Sequence, residues 1–156
     1  MTPDQLDARL RFAVAAAHRA GETALAHAHD PAGLGTVSKG VQDVVTAADK
    51  AVEQALRREI AEAFSGDAVL GEEEGLSPGW DGRAPLWILD PIDGTAKFAR
   101  RLPLWCVSIG VHSDGDAVCG VIHNPMAGET HAAARGSGAT MNEPTISQTR
   151  RSDSHG

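Results

Sequence analysis

Apolar residues near the start of the chain recur at three- and four-residue steps: Leu6, Leu10, Ala13, Val14, Ala17, Ala20, Ala24, Leu25 and Ala28. This spacing predicts one long amphipathic helix whose apolar stripe is built mostly from small side chains, which lets a second helix approach closely. Thr2 is placed to cap it, with Pro3 at the first helical position and Gln5 able to bond back to the cap. A second stripe, Val52, Ala55, Leu56, Ile60 and Ala63, predicts a second helix, started by Thr46-Ala47-Ala48-Asp49 and stopped by Ser65-Gly66. Between them, Asp30 to Gly40 is rich in Gly and Pro and reads as a loop.

From Asp67 the period shortens, and brief apolar runs bounded by Gly, Pro and Asp replace the helical stripes. Ala68 to Gly71 and Pro85 to Leu89 read as strands that end directly in carboxylates. Trp105 to His112 alternates, with Trp105, Val107, Ile109 and Val111 on one face and Cys106, Ser108 and Gly110 on the other. Ser113-Asp114-Gly115-Asp116 reads as a hairpin turn leading into Ala117 to His123, and Asn124 to Gly128 turns again into Glu129 to Arg135. The expected fold class is α+β, with two N-terminal helices packed on an antiparallel sheet. This domain is expected over 1–144. The segment 145–156 carries one apolar residue, Ile146, and reads as a polar, disordered tail.

Composition narrows the possible functions. With 14 Lys+Arg against 21 Asp+Glu, the chain carries a formal charge of −7, which argues against a nucleic-acid binder, since such affinity rests on clustered basic residues. Two cysteines, Cys106 and Cys119, make neither a disulfide framework nor a zinc site, and they favour a reducing, cytoplasmic setting. No stretch reaches the roughly 18 apolar residues of a membrane span, and the first ten residues are too polar for a signal peptide. Aromatic residues are scarce, at 4%, with no tyrosine. Seven histidines, among them His27 and His29 two residues apart, show no metal-ligand spacing. Arg100-Arg101 reads as a solvated helix end.

The chemistry lies where acids border apolar segments: Asp43 and Asp49 around the second helix start, Glu72-Glu73-Glu74 after Val69-Leu70-Gly71, and Asp90-Pro91-Ile92-Asp93-Gly94-Thr95 after Trp87-Ile88-Leu89. Asp90 and Asp93, three residues apart around a proline turn, can converge on one cation. Partly buried carboxylates need such a partner, and hard oxygen ligands select Mg²⁺ or Mn²⁺ over zinc. Gly94-Thr95 is expected to open a short helix through Ala99, whose free N–H groups can face a phosphate. A cation cluster beside an anion site suits phosphate-ester hydrolysis.

Asp90-Pro91-Ile92-Asp93-Gly94-Thr95-Ala96-Lys97-Phe98 resembles the signature of the inositol monophosphatase family of Mg²⁺-dependent, lithium-sensitive phosphatases. Asp43-Val44-Val45-Thr46-Ala47-Ala48-Asp49 is similar to the family's helix-start motif, and Gly71-Glu72-Glu73 to its Gly-Glu-Glu motif. Val107 to Gly110, Gly120 to Ile122 and Gly136 to Ala139 follow in family order, so the resemblance covers nearly all of Leu6 to Asn142.

The resemblance implies the N-terminal half of a layered αβαβα fold and a phosphoric monoester hydrolase acting on inositol 1-phosphate or a similar small substrate. It implies that Glu72, Asp90 and the Ile92 carbonyl hold one metal, and that Asp90 and Asp93 hold a second. Thr95 with Glu72 would orient the attacking water, and the Gly94 and Thr95 amides would cradle the phosphate beside Asp93. Lys39, in the loop before the second helix, and Asp49 match residues near the metals, while Glu73 supports the ligands. No nucleic-acid or membrane partner is expected, and the expected assembly is a homodimer.

Three departures stand out. Lys97 replaces an asparagine, Glu143 replaces a turn glycine, and the chain ends at Gly156, before the family's second α/β half. Histidinol phosphate, fructose bisphosphate and adenosine 3′,5′-bisphosphate are alternative substrates. A truncated, catalytically silent metal-binding or partner chain is the alternative of another class.

Overall fold

The structure, a computed structural model, describes residues 1–29 and 41–142, with the backbone alone at 41–44 and 46. Helix α1 (Pro3–Ala28) starts as its first residues dictate: Gln5 N donates to the Thr2 hydroxyl at 3.2 Å, and Thr2 N donates to Gln5 Oε1 at 2.9 Å. Its stripe of Ala13, Ala16, Ala17, Ala20 and Ala24 is buried, and α1 packs on both helix α2 (Val41–Ala63) and the sheet. Arg19 and Glu59 join the two helices at 2.6 Å.

Helix α2 begins at Val41, so Thr46 lies inside the helix and does not start it. The reason is that buried Val45, Ala48, Val52, Leu56 and Ile60 form a single stripe, which extends the apolar face a turn further toward the N-terminus. The loop over Asp30 to Gly40, including Lys39, and the tail from Glu143 lie outside the described residues.

The strands form one seven-stranded sheet: β1 (Ala68–Gly71), β2 (Gly75–Leu76), β3 (Leu86–Asp93), β4 (Cys106–Ser113), β5 (Asp116–Asn124), β6 (Glu129–Ala134) and β7 (Gly138–Met141). Their order is β2-β1-β3-β4-β5-β6-β7. Helix α3 (Thr95–Ala99) follows β3. From β3 to β7 the strands form the expected antiparallel meander, but β1 pairs with β3 in parallel, so the sheet is mixed. The parallel pair arises because β2 turns back on the outer side of β1, and the chain then returns to enter β3 beside the start of β1, where Ala68 N donates to Pro85 O at 2.9 Å.

The alternation read in β4 holds: Val107, Ile109 and Val111 are buried under the helices, while Cys106, Ser108 and Gly110 face the other way. The β4–β5 turn places both Asp114 and Gly115 at positive φ, 54° and 83°, as a tight hairpin requires. Strands β2 and β7 have no sequence signature, because both are short and lack alternating burial.

The few aromatic residues are concentrated rather than scattered. Phe12, Phe64 and Trp87 pack with ring centroids 5.2 to 5.5 Å apart, tying α1 and the end of α2 to β3. Phe98 and Trp105 pack edge to face at 4.9 Å, which seats α3 on the sheet. At the first cluster, Asp67 accepts Trp87 Nε1 at 2.8 Å and pairs with both Arg9 Nε and Nη2, at 2.8 and 2.7 Å.

Candidate functional site

Strand β1 ends at Gly71, and Glu72, Glu73 and Glu74 form the turn into β2. Strand β3 brings Asp90 alongside, one strand away in the parallel pair. Pro91 does not break the chain into the turn that its sequence suggests: β3 continues to Asp93. The register slips between the Asp90–Ser108 and Asp93–Cys106 pairs, so three steps on β3 span two on β4. Pro91 therefore sits, buried, in a β-bulge, where its missing N–H is tolerated and the strand can re-aim Asp90 and Asp93.

Gly94 then takes φ 93° and caps α3, its carbonyl accepting Lys97 N at 2.8 Å and Phe98 N at 3.0 Å. A Cβ at Gly94 would lie 2.9 Å from Leu104 O, so both the backbone angle and the space require glycine. Thr95 is exposed, and its hydroxyl donates to the Ile92 carbonyl at 3.2 Å. Lys97 is exposed on the same short helix.

Helix α2 supplies Asp49, which is only 7% exposed. Burial, and then the charges of Glu73, Glu72, Asp90 and Glu53, push its pKa from 3.8 up to about 7. Burial also raises Asp90, helped by Asp93 and Glu72, while the Ile92 amide works in the opposite direction. Asp90 Oδ1 is buried and has no hydrogen-bond partner among the described residues. Among the described residues no three carboxylate, imidazole or thiol groups close into a cation cage. Asp49 nonetheless lies within electrostatic reach of Glu72, Glu73 and Asp90, and Asp90 within reach of Glu72 and Asp93. A buried carboxylate oxygen without a donor is costly, and carboxylates are the hard oxygen donors that a cation such as Mg²⁺ takes.

The side chain of Asp43 and all of Lys39 and Glu143 lie outside the described residues. Two of the histidines, His18 and His123, pack against each other away from these acids. His123 is buried and stacks on His18 at 4.2 Å, and the Thr130 hydroxyl bridges the two rings at 2.9 Å on each side. Burial lowers the His123 pKa. Cys119 is a buried thiol whose pKa burial pushes up to about 11, whereas Cys106 is only half-buried, close to Asp93.

Two residues of this neighbourhood escape a reading of the sequence. Glu53 is fully buried on α2 and pairs with Arg57 at 2.9 Å. A signal for it does exist: Glu53 falls four residues after Asp49, three before Leu56 and seven before Ile60, on the buried stripe rather than the solvated face. An acid at such a position must have partners.

The family model described as "Inositol monophosphatase family" matches residues 5–155. The chain belongs to the inositol monophosphatase family. A Nus factor SuhB from Xylella fastidiosa is 34% identical over 92% of this chain and 51% of its own length. A histidinol-phosphatase from Chlorobaculum parvum is 39% identical over 91% of this chain and 52% of its own. An inositol monophosphatase structure from Anabaena superposes with a TM-score of 0.73 at 34% identity, covering 91% of this chain and 50% of that one. The extragenic suppressor protein suhB of Bartonella henselae gives 0.74 at 33%, covering 87% and 52%. The α+β fold is thus that of inositol monophosphatase family chains, and the chain spans about half the length of the curated relatives it matches. No helix among the described residues is long and apolar enough to cross a membrane.

Proposed function

We propose that this chain carries the cation-binding part of a site for Mg²⁺-dependent hydrolysis of a phosphate monoester, inositol 1-phosphate or an ester of that kind. The observation that carries the reading is Asp90, whose buried Oδ1 has no partner among the described residues although Asp93 and Glu72 lie close by. In this reading Glu72, Asp90 and the Ile92 carbonyl would hold one Mg²⁺, and Asp90 and Asp93 a second, with Mn²⁺ suited to the same hard oxygens. Such ions, when bound, acidify water and stabilise a leaving oxygen.

The chain's own residues have separate tasks. Glu72 and the Thr95 hydroxyl orient the attacking water, and Glu72 accepts its proton. Asp49 stands beside them, its pKa raised in the metal-free chain by burial and the neighbouring acids. The Gly94 and Thr95 amides, with Asp93 at their side, receive the phosphate. The two free thiols support a reducing, cytoplasmic setting.

The test is release of inorganic phosphate from inositol 1-phosphate, histidinol phosphate, fructose bisphosphate and adenosine 3′,5′-bisphosphate, each with Mg²⁺. Release from at least one ester is expected, with a loss of roughly 100-fold or more in Asp93→Asn, on the scale of removing a group that stabilises transition-state charge. No release from any of them, or equal release by the variant, overturns the reading.

A further inference from the structure

The turn that carries Glu72, Glu73 and Glu74 is held to the body of the protein by two side chains of α2. The Glu53 carboxylate, 0% exposed, accepts three N–H donors. Arg57 Nε and Glu74 N reach Oε1 at 2.9 and 3.0 Å, and Glu73 N reaches Oε2 at 2.8 Å. One helical turn along, Arg57 also donates to the Gly75 carbonyl and lies 3.7 Å from the Glu74 carboxylate. Two consecutive amides and one carbonyl of the turn are thereby fixed to a single face of a helix.

Gly71 belongs to the same arrangement. Its φ is not in the left-handed region, yet a Cβ there would lie 2.2 Å from Glu53 Oε1 and 2.3 Å from Cδ. Glycine is required for space: it lets the buried carboxylate pass β1 and reach the turn amides. Both Glu53 oxygens are already engaged by N–H donors, so Glu53 is not itself a candidate ligand. What it controls is the backbone on which Glu72 and Glu73 stand.

We propose that Glu53 and Arg57 are positioning residues, which fix the three-glutamate turn so that Glu72 and Glu73 present their carboxylates toward Asp90 and Asp49; this rests on the reading given under Proposed function. Three adjacent acids repel one another and the acids across from them. An unbraced turn would relieve that repulsion by swinging outward. The Glu53–Arg57 pair opposes this by giving the turn amides a buried acceptor and the turn carbonyl a cationic donor.

The experiment is a Mn²⁺ titration of the full chain, read by the resonance signal of free Mn²⁺, together with hydrogen exchange at the Glu73 and Glu74 amides in the absence of metal. Glu53→Gln keeps the shape but turns an N–H₂ group toward N–H donors. It is expected to speed exchange at both amides while the β4 and β5 amides stay protected, and to weaken Mn²⁺ binding by roughly 10- to 100-fold. Gly71→Ala attacks the same contact from the other side and serves where Glu53→Gln does not fold; it is expected to act in the same direction. Arg57→Lys, which keeps the charge and loses the fork, is expected to fall between these variants and the unchanged chain.

Unchanged exchange at Glu73 and Glu74, or faster exchange with undiminished Mn²⁺ affinity, overturns the positioning role. A chain that takes up no Mn²⁺ in its unchanged form overturns the underlying reading instead. The two failures are therefore distinct.

Discussion

Urea denaturation of Trp87→Ala is expected to show a loss of about 3–5 kcal/mol in unfolding free energy, among the largest effects available from one side chain in this core. Trp87 is 0% exposed and sits between Phe12 and Phe64, at 5.5 and 5.4 Å. Alanine there would leave a cavity where α1, α2 and β3 meet. It would also remove the indole N–H from Asp67, whose carboxylate is nearly buried and already committed to Arg9. Trp87→Phe separates the two contributions: it keeps most of the packing and drops the hydrogen bond, for an expected loss of about 1–3 kcal/mol. Total stabilities are commonly about 5–15 kcal/mol, so the alanine variant is expected to be close to unfolding at 37 °C. A loss below about 1 kcal/mol for Trp87→Ala would show that the aromatic cluster does not hold the helices to the sheet.

The second large effect is electrostatic and depends on pH. Asp49 has a pKa of about 7 in the folded chain against 3.8 for an ordinary aspartate, through burial and then the neighbouring charges of Glu73, Glu72, Asp90 and Glu53. Folding therefore takes up a proton at Asp49 between those values. The stability tied to that proton is full below about pH 4 and is lost as pH rises through 7, levelling off above it. A rise of this size corresponds to something on the order of 4 kcal/mol. In metal-free protein, Asp49→Asn is expected to change little near pH 4 and to raise stability by up to that order at pH 8. Melting temperature across pH, with and without the substitution, checks this. Mg²⁺ is expected to narrow the gap at pH 8, because a cation favours ionised carboxylates. Parallel pH profiles for the two proteins would mean that Asp49 is not held in the field of the other acids.

Much of the backbone that carries the candidate site is legible in the sequence because its motifs are local. Asp90 to Phe98 encodes a strand leading into a helix start within nine residues, and Gly71-Glu72-Glu73 marks the end of β1. The alternation in β4 and the hairpin at Asp114-Gly115 were equally plain, since burial and backbone angle leave direct marks on residue choice. What stayed hidden depends on tertiary partners. The parallel pairing of β1 with β3 follows from the path of the chain after β2, which no periodicity records. Pro91 reads as a turn former in isolation, and only the β4 ladder beside it makes it a bulge. The early start of α2 is masked by Thr46, which resembles a cap, although Val45 and Ala48 already lie on the buried stripe. Glu53 carries no motif, and glutamate usually faces water. Its position on that same stripe was the informative feature.

Whether Asp90 is built to face a divalent cation is decided most directly by calorimetric titration of Mg²⁺ into the chain and into its Asp90→Asn variant. Saturable binding by the unchanged chain is expected, weakened in the variant by more than the roughly 10- to 100-fold that loss of a supporting hydrogen bond around a metal costs. Equal binding by both proteins, or saturable binding by neither, would contradict the assignment of Asp90 and its neighbours as a cation site.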